Sequence, residues 1–500
     1  MSHVVMHSQV LTCGGPLWRE TRSAALLLPL AAAACVVLSG EVQSQSTRVA
    51  AAASTIDAKQ LEHLIDSAMT AGMAAEHIPG AAFVLVRDGR IVLAKGYGFA
   101  DHEAGRRVVP ESTVWPFASI TKVITATAVV QLADRGKLDL HADVNRYLRA
   151  LQVTATYAQP VTTAQLLTHT AGFDELRGRL TESANDIKPL DEFLRGKLVR
   201  IRPPGTMTSY SSFGMALAGV VVQDVSGVSY DEYLRRNIFM PLGMQSARIM
   251  SHAGTQKGLA AGYEYGDDLV RRVPYEWYHS TPSSSFAATA TDMARFMIAQ
   301  LEGGVFNGKR IVSQRAMRDM QTQHATMHPL VPGWGYGWQI RDTNGQRVLE
   351  HGGDIGGFSS LVTLLPDSRT GFLVVGHREG ANLRFDVRQT VLNRYFPDKR
   401  TLVLPKPDSS GAARLARFAG TYRANVYCHT CADSLQGTQD FAVTANADGT
   451  LGAFDTRWTE VAPLFFRDST ARRRFGLSAD SMGRITSLTV GSWQVLEKIR

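Results

Sequence analysis

Two blocks of strand-forming sequence stand far apart in this chain, and a compact domain must unite them in one sheet. The first is a hairpin: Ala81-Ala-Phe-Val-Leu-Val and Ile91-Val-Leu-Ala flank Arg87-Asp88-Gly89-Arg90, with Asp-Gly at the turn, a pair that accepts positive φ at low cost. The second holds Arg347–Glu350, Phe358–Leu365 and Gly371–Gly376, the last two joined by a turn at Pro366-Asp367. Between the blocks, from about 119 to 320, the pattern is mainly helical, with apolar stretches at Val123–Leu132 and Gly214–Val225. Helical spacing also runs over 57–76 (Leu61, Leu64, Ile65, Met69) and over Leu383–Tyr395. This order predicts an α/β (α+β) sandwich of an antiparallel sheet flanked by helices, with an inserted all-helical lobe, over 55–400.

Segment 401–412, with Pro405, Pro407 and Ser409-Ser410-Gly411, has the composition of a linker. Beyond it, Phe441-Ala-Val-Thr, Leu464-Phe-Phe, Arg484–Val490 and Trp493-Gln-Val-Leu alternate at short intervals, which predicts a small β-rich domain over 413–500. At the other end, Arg19 and Arg22 precede an apolar run, Ala24–Leu38, and the small polar Ser44-Gln45-Ser46 follows it. That is the layout of a signal peptide and leader over 1–46, so the mature chain is expected to be exported, periplasmic or secreted. The run is too short to span a bilayer and Pro29 interrupts it, so no stable membrane span is expected. Cys35 follows Ala32-Ala33-Ala34, a poor lipid-attachment context.

The chain is 44% hydrophobic and 20% charged, ordinary for a folded protein, and its net charge of +8 is spread without a like-charge block. The densest basic run, Arg472-Arg473-Arg474, reads as a solvated face, and no nucleic-acid partner is expected. Of the four cysteines, Cys13 and Cys35 fall in the leader, leaving Cys428 and Cys431. In an exported chain such a pair forms a disulfide, and two thiolates are too few for a closed zinc site unless His429 and a distant residue help. So short a loop adds little chain-entropy stabilisation, so this disulfide should be dispensable for the main domain.

The chain has no Gly-x-Ser-x-Gly elbow, no His-Glu-x-x-His helix and no phosphate loop ending in Gly-Lys-Ser/Thr. Ser119-Ile120-Thr121-Lys122 does stand out, because the apolar helix Val123–Leu132 follows it. Serine on the first turn and lysine one turn on share a face, where the helix N-terminus favours a developing alkoxide. A lysine held neutral there could take the serine proton. Tyr210-Ser211-Ser212 follows Pro204-Gly205-Thr206 and opens a second helix; a tyrosine beside a cationic lysine can be driven toward phenolate and serve as a base. Tyr278-His279-Ser280 has the same spacing without a helix to hold it. Third, His351-Gly352-Gly353-Asp354 leads into the strand at Phe358. Its glycines let a substrate backbone approach a strand edge, while His351 offers a donor. His252-Ala253-Gly254 also matches His-x-Gly but lacks a strand.

Ser119-x-x-Lys122, Tyr210-x-Ser212 and His351-x-Gly353, in this order, resemble the serine β-lactamase and penicillin-binding protein superfamily. The closer likeness is to its class C-type branch of esterases, D-aminopeptidases and D-Ala-D-Ala carboxypeptidases. Leu166-Leu-Thr-His-Thr-Ala-Gly172, Pro204-Gly-Thr and Asp292-Met-Ala-Arg-Phe296 add to the likeness, which covers about 55–400. The resemblance implies a serine hydrolase that forms a covalent acyl-enzyme on a small-molecule, peptide or ester substrate, with no metal or cofactor. By matching position, Ser119 is the nucleophile, Lys122 and Tyr210 share proton transfer, and Ser212 and His351 meet substrate beside Gly353. The backbone N–H groups of Ser119 and Asp354 form the oxyanion hole. Two departures, Ser212 where asparagine is commoner and His351 in place of lysine, point away from a true β-lactamase. With a reference pKa near 6.5, His351 would be about 3% charged at pH 8 and gain charge toward pH 6. The pocket would then prefer neutral esters or amides at pH 8. The alternative on the same fold is an inactive binder of cell-wall peptides or glycans. Oligomeric state is not legible in the sequence.

Overall fold

The computed structural model describes residues 56–490 and 494–499; the leader expected over 1–46, with Cys35, lies outside the described residues. Five helices frame the main domain: α1 (Ala58–Ala75), α2 (Thr121–Asp134), α3 (Ser212–Ser226), α4 (Ala290–Leu301) and α5 (Leu383–Tyr395). The Asp57 carboxylate starts α1 by accepting from the Lys59 and Gln60 N–H groups, each at 2.9 Å. The hairpin of β1 (Gly80–Arg87) and β2 (Arg90–Asp101) turns at Asp88 and Gly89, whose φ angles of 47° and 75° are the left-handed pair its two-residue loop demands.

Five more strands complete the sheet: β3 (Arg106–Arg107), β4 (Gln339–Thr343), β5 (Gln346–Ile355), β6 (Phe358–Leu365) and β7 (Thr370–His377). Their order is β4-β5-β6-β7-β1-β2-β3, antiparallel throughout. The pairing of β1 with β7, Ala81 opposite Gly376 and Leu85 opposite Phe372, joins the two distant sequence blocks. Strand β1 is apolar at successive positions because both its faces are covered. Ala81, Phe83 and Leu85 pack with residues of α1 and α5, whereas Ala82, Val84 and Val86 join the larger core with α2 and α4.

Helix α2 is buried from Thr121 to Leu132 and has no polar face, as befits a helix at the centre of a domain. The inserted region is not purely helical. A short strand at Val114–Pro116 pairs with Phe286–Thr289, and Gly262–Gly266 forms a hairpin with Leu269–Val273. These short pairings gain their stability from tertiary contacts, which local pattern does not reveal. Among the described residues, no single helix is long and apolar enough to cross a membrane.

The C-terminal region is a closed eight-stranded antiparallel barrel, β8 (Gly420–Ala424) through β15 (Gln494–Lys498), in which each strand pairs with the next and β8 pairs with β15. Tyr422, Trp458, Phe466 and Phe475 fill its interior, with Leu415 and Phe418 of a preceding helical turn among them. The barrel docks on the main domain: Arg474 pairs with Asp342 at 3.0 Å, and Phe465 stacks on His328 with ring centroids 5.6 Å apart. Cys428 and Cys431 are joined in the loop after β8.

Candidate active site

Ala118 turns the chain at φ 47°, a conformation uncommon for a residue with a Cβ, so that Ser119 stands on a single 3₁₀ turn feeding α2. Its neighbours Ala118 and Ile120 are buried, while Ser119 keeps partial exposure. Lys122, one turn on, is fully buried; its Nζ lies 3.0 Å from Ser119 Oγ and 2.9 Å from the Ser283 carbonyl. Burial holds this amine well below its ordinary range; the Arg179 charge pushes the same way and Glu175 opposes. The amine donates to both oxygens as it stands; once deprotonated, it can keep one N–H on Ser283 and turn its lone pair to the Ser119 hydroxyl.

Tyr210 hydrogen-bonds Ser119, and the Lys122 Nζ sits 4.6 Å from the centre of its ring. Burial raises the phenol above the ordinary tyrosine range, which the bond to Ser119 only partly offsets. The expected phenolate is therefore corrected: desolvation dominates, and Tyr210 keeps its proton. Ser211 caps α3, accepting from the Gly214 N–H at 3.1 Å, and its own N–H donates to His169 Nδ1 at 3.2 Å. Ser212 is buried at the start of α3, and its N–H donates to Glu175 Oε2 at 2.8 Å. The Tyr210 ring lies between aromatic neighbours: His169 at 4.5 Å, Trp334 at 6.2 Å and His351 at 6.4 Å between centroids.

Strand period places His351 and Gly353 on the face of β5 toward α2, with Glu350 and Asp354 on the face toward α5. A Cβ at Gly353 would lie 2.2 Å from the Phe117 carbonyl oxygen, so this strand runs directly against the turn that carries Ser119. The Asp354 carboxylate accepts from Arg384 Nη1 at 2.5 Å and Gly380 N–H at 2.9 Å. Its side chain is thus committed to the start of α5. His351 Nδ1 lies 2.7 Å from the Gly352 carbonyl and donates to it, which leaves Nε2, buried and unpartnered, as an acceptor. The expected donor is thus an acceptor. Burial pushes His351 down to about 3, so it gains no charge near pH 6.

The structure thus brings Ser119, Lys122, Tyr210, His351 and Gly353 together, with Ser212 close by at the start of α3 and the Asp354 side chain turned to the other face of β5. It leaves Tyr278 outside, with its hydroxyl 2.5 Å from Glu276 Oε2. Sequence reasoning passed over His169, Glu175 and Trp334. His169 lay within the Leu166–Gly172 phrase, where its spacing carried no chemistry of its own. Among the described residues, no group of three or more His, Cys, Asp and Glu side chains could hold a metal ion.

Three buried histidines give an acid-stability expectation. His351 is pushed down to about 3, His377 to about 4, and His169 well below the usual range, in each case chiefly by burial. A histidine whose folded pKa is depressed stays neutral in the native state while the unfolded chain takes a proton. Stability is therefore lost as pH falls below about 6.5 and continues to fall toward each folded value. At pH 5 the cost is about 2 kcal/mol for each of His351 and His377. Urea unfolding at pH 8 and pH 5 checks this, and His377→Gln should narrow the difference by about 2 kcal/mol; equal stability at both pH values overturns it.

The Beta-lactamase family model matches residues 65–393, the span that holds all of these side chains. Penicillin-binding protein 4 of Amycolatopsis lactamdurans is 28% identical over 374 residues, 69% of this chain and 93% of that protein. Protein flp of Staphylococcus aureus (strain MRSA252) is 25% identical over 324 residues, 64% of this chain, and the chain spans 62% of flp's own length. The crystal structure of SurE shares the fold, with a TM-score of 0.64 at 20% identity, over 89% of this chain and 100% of that one. On the match to its main domain, the chain belongs to the Beta-lactamase family, within the serine β-lactamase and penicillin-binding protein superfamily.

Proposed function

We propose that this protein is an exported serine hydrolase that cleaves a neutral ester or amide through an acyl-Ser119 intermediate. The observation that carries the reading is the fully buried Lys122 amine, 3.0 Å from Ser119 Oγ and disposed to be uncharged. A pure binding protein has no use for it. Ser119 Oγ attacks the acyl carbon as its proton passes to Lys122 Nζ. The backbone N–H groups of Ser119 and Asp354 receive the negative charge that develops on the acyl oxygen. As the bond to the leaving group breaks, the leaving oxygen or nitrogen takes the Tyr210 proton, and the Lys122 ammonium restores it to Tyr210. Water then attacks the acyl carbon through the same groups, releasing the acid and returning the Ser119 hydroxyl. His351, uncharged at neutral pH, supplies no fixed positive charge for a substrate carboxylate.

The deciding experiment is intact-mass detection of a covalent adduct with a panel of aryl esters, D-amino-acid amides and β-lactams. An adduct on Ser119 with a neutral ester or amide supports the reading, whereas no adduct and no turnover with any member sinks it. Gly353→Ala tests the third motif separately. Its new Cβ, 2.2 Å from the Phe117 carbonyl, must push β5 away from the nucleophile turn. We expect about a 10²-fold loss of kcat/KM with the fold intact by circular dichroism. Unchanged kinetics would remove β5 from the site.

A further inference from the structure

The barrel grips the main domain at a carboxylate whose neighbour in the chain, Glu175, binds the start of α3. Asp174 is fully buried, and its carboxylate is bound by the barrel loop that Cys428–Cys431 closes. The backbone N–H groups of His429 and Thr430 donate to it at 2.9 and 3.0 Å, and the Thr430 hydroxyl at 2.7 Å. The next residue, Glu175, accepts the Ser212 N–H at 2.8 Å. One peptide unit therefore connects the barrel to the first residue of α3.

The same stretch of barrel also holds the other flank of the motif. Asn425 Nδ2 reaches the Thr208 carbonyl and the Asn425 carbonyl accepts from Ser209 Oγ, both at 3.5 Å. Tyr210 follows directly. Beside these contacts Arg177 Nε donates to the Leu435 carbonyl at 2.5 Å, and Arg202 pairs with Glu497 of the last barrel strand. Residues 425–435 thus hold both sides of Tyr210-Ser211-Ser212. A buried carboxylate that loses its donors must move toward water, and here it would carry Glu175, and with it the start of α3, along.

We propose that the barrel loop around Cys428–Cys431 is a positioning element of the active site, holding Tyr210 and Ser212 in place so that turnover depends on the docked barrel. The proposal rests on the hydrolase reading above. It also replaces the expectation that this disulfide is dispensable, which rested on the small chain-entropy effect of so short a loop. Displacement of a proton-transfer group by about 1 Å costs on the order of 10²-fold in rate.

The test uses the full chain with Thr430→Val and, separately, the Cys428→Ser/Cys431→Ser double variant. Each is read by aryl-ester kcat and KM well below the unfolding temperature and by amide hydrogen exchange over 205–216. We expect kcat to fall about 10-fold or more with KM little changed, and faster exchange at the Ser211, Ser212 and Gly214 amides. Thr430→Ser, which keeps the hydroxyl, should retain wild-type values. Folded variants with wild-type kcat overturn the proposal, and so does a fall in kcat without faster exchange in that segment. If wild type neither turns over an ester nor takes up a fluorophosphonate, the hydrolase reading fails and exchange alone decides. Faster exchange in the variants then upholds the positioning role, and unchanged exchange overturns it.

Discussion

Ser119→Ala is expected to abolish labelling by a fluorophosphonate and to cut ester turnover by about 10⁴-fold or more, the scale on which loss of a covalent nucleophile acts. Lys122→Met, close in shape but without the lone pair 3.0 Å from Ser119 Oγ, should cost about 10²-fold or more, as should Tyr210→Phe. These losses should fall on kcat, because neither side chain is needed to hold substrate. The acid limb of the pH–rate profile reports Lys122: burial holds its pKa well below the ordinary lysine range, and activity should fall where that amine takes a proton. Labelling at another serine with Ser119→Ala still active would falsify the assignment.

The second large effect is on stability. Glu350 is 1% exposed beneath α5, where its carboxylate lies 2.9 Å from Arg341 Nε and 3.1 Å from Arg388 Nη1 and accepts from Thr363 Oγ1 at 3.3 Å. Glu350→Ala leaves two guanidinium groups facing each other with no anion between them. Breaking a buried pair in this way costs about 3–5 kcal/mol; the partial exposure of both arginines points to the lower end. The measurement is the shift in the urea midpoint of main-domain unfolding. A loss below about 1 kcal/mol would mean that water already screens the arginines. Because Glu350 precedes His351 on β5, turnover should fall at urea concentrations where the wild type still works.

Much of the scaffold was legible because its signals are local. The Asp88-Gly89 turn and the strand at Phe358–Leu365 follow from turn chemistry and short apolar runs. The helix Leu383–Tyr395 follows from its spacing. The short strands inside the insertion left no such trace, because two to five residues carry too little pattern. Barrel closure was equally hidden: that β8 pairs with β15 depends on the twist accumulated over all eight strands.

The site divides along the same line. Ser119 and Lys122 lie on one helical turn, so their proximity was determined by the sequence itself, as was the alternation that puts His351 and Gly353 on one face of β5. Their protonation was not. The pKa of Lys122 is held well below its ordinary range by burial first and then by the Arg179 charge, groups that the tertiary structure gathers from far along the chain. Tyr210 keeps its proton, and His351 is an acceptor that stays neutral toward pH 3, because of what packs against them. The coupling of Asp174 to the barrel joins residues that no local pattern relates. Backbone periodicity is a property of neighbours in the chain, whereas the cost of burying a charge is a property of everything that surrounds it, and only the tertiary structure decides that.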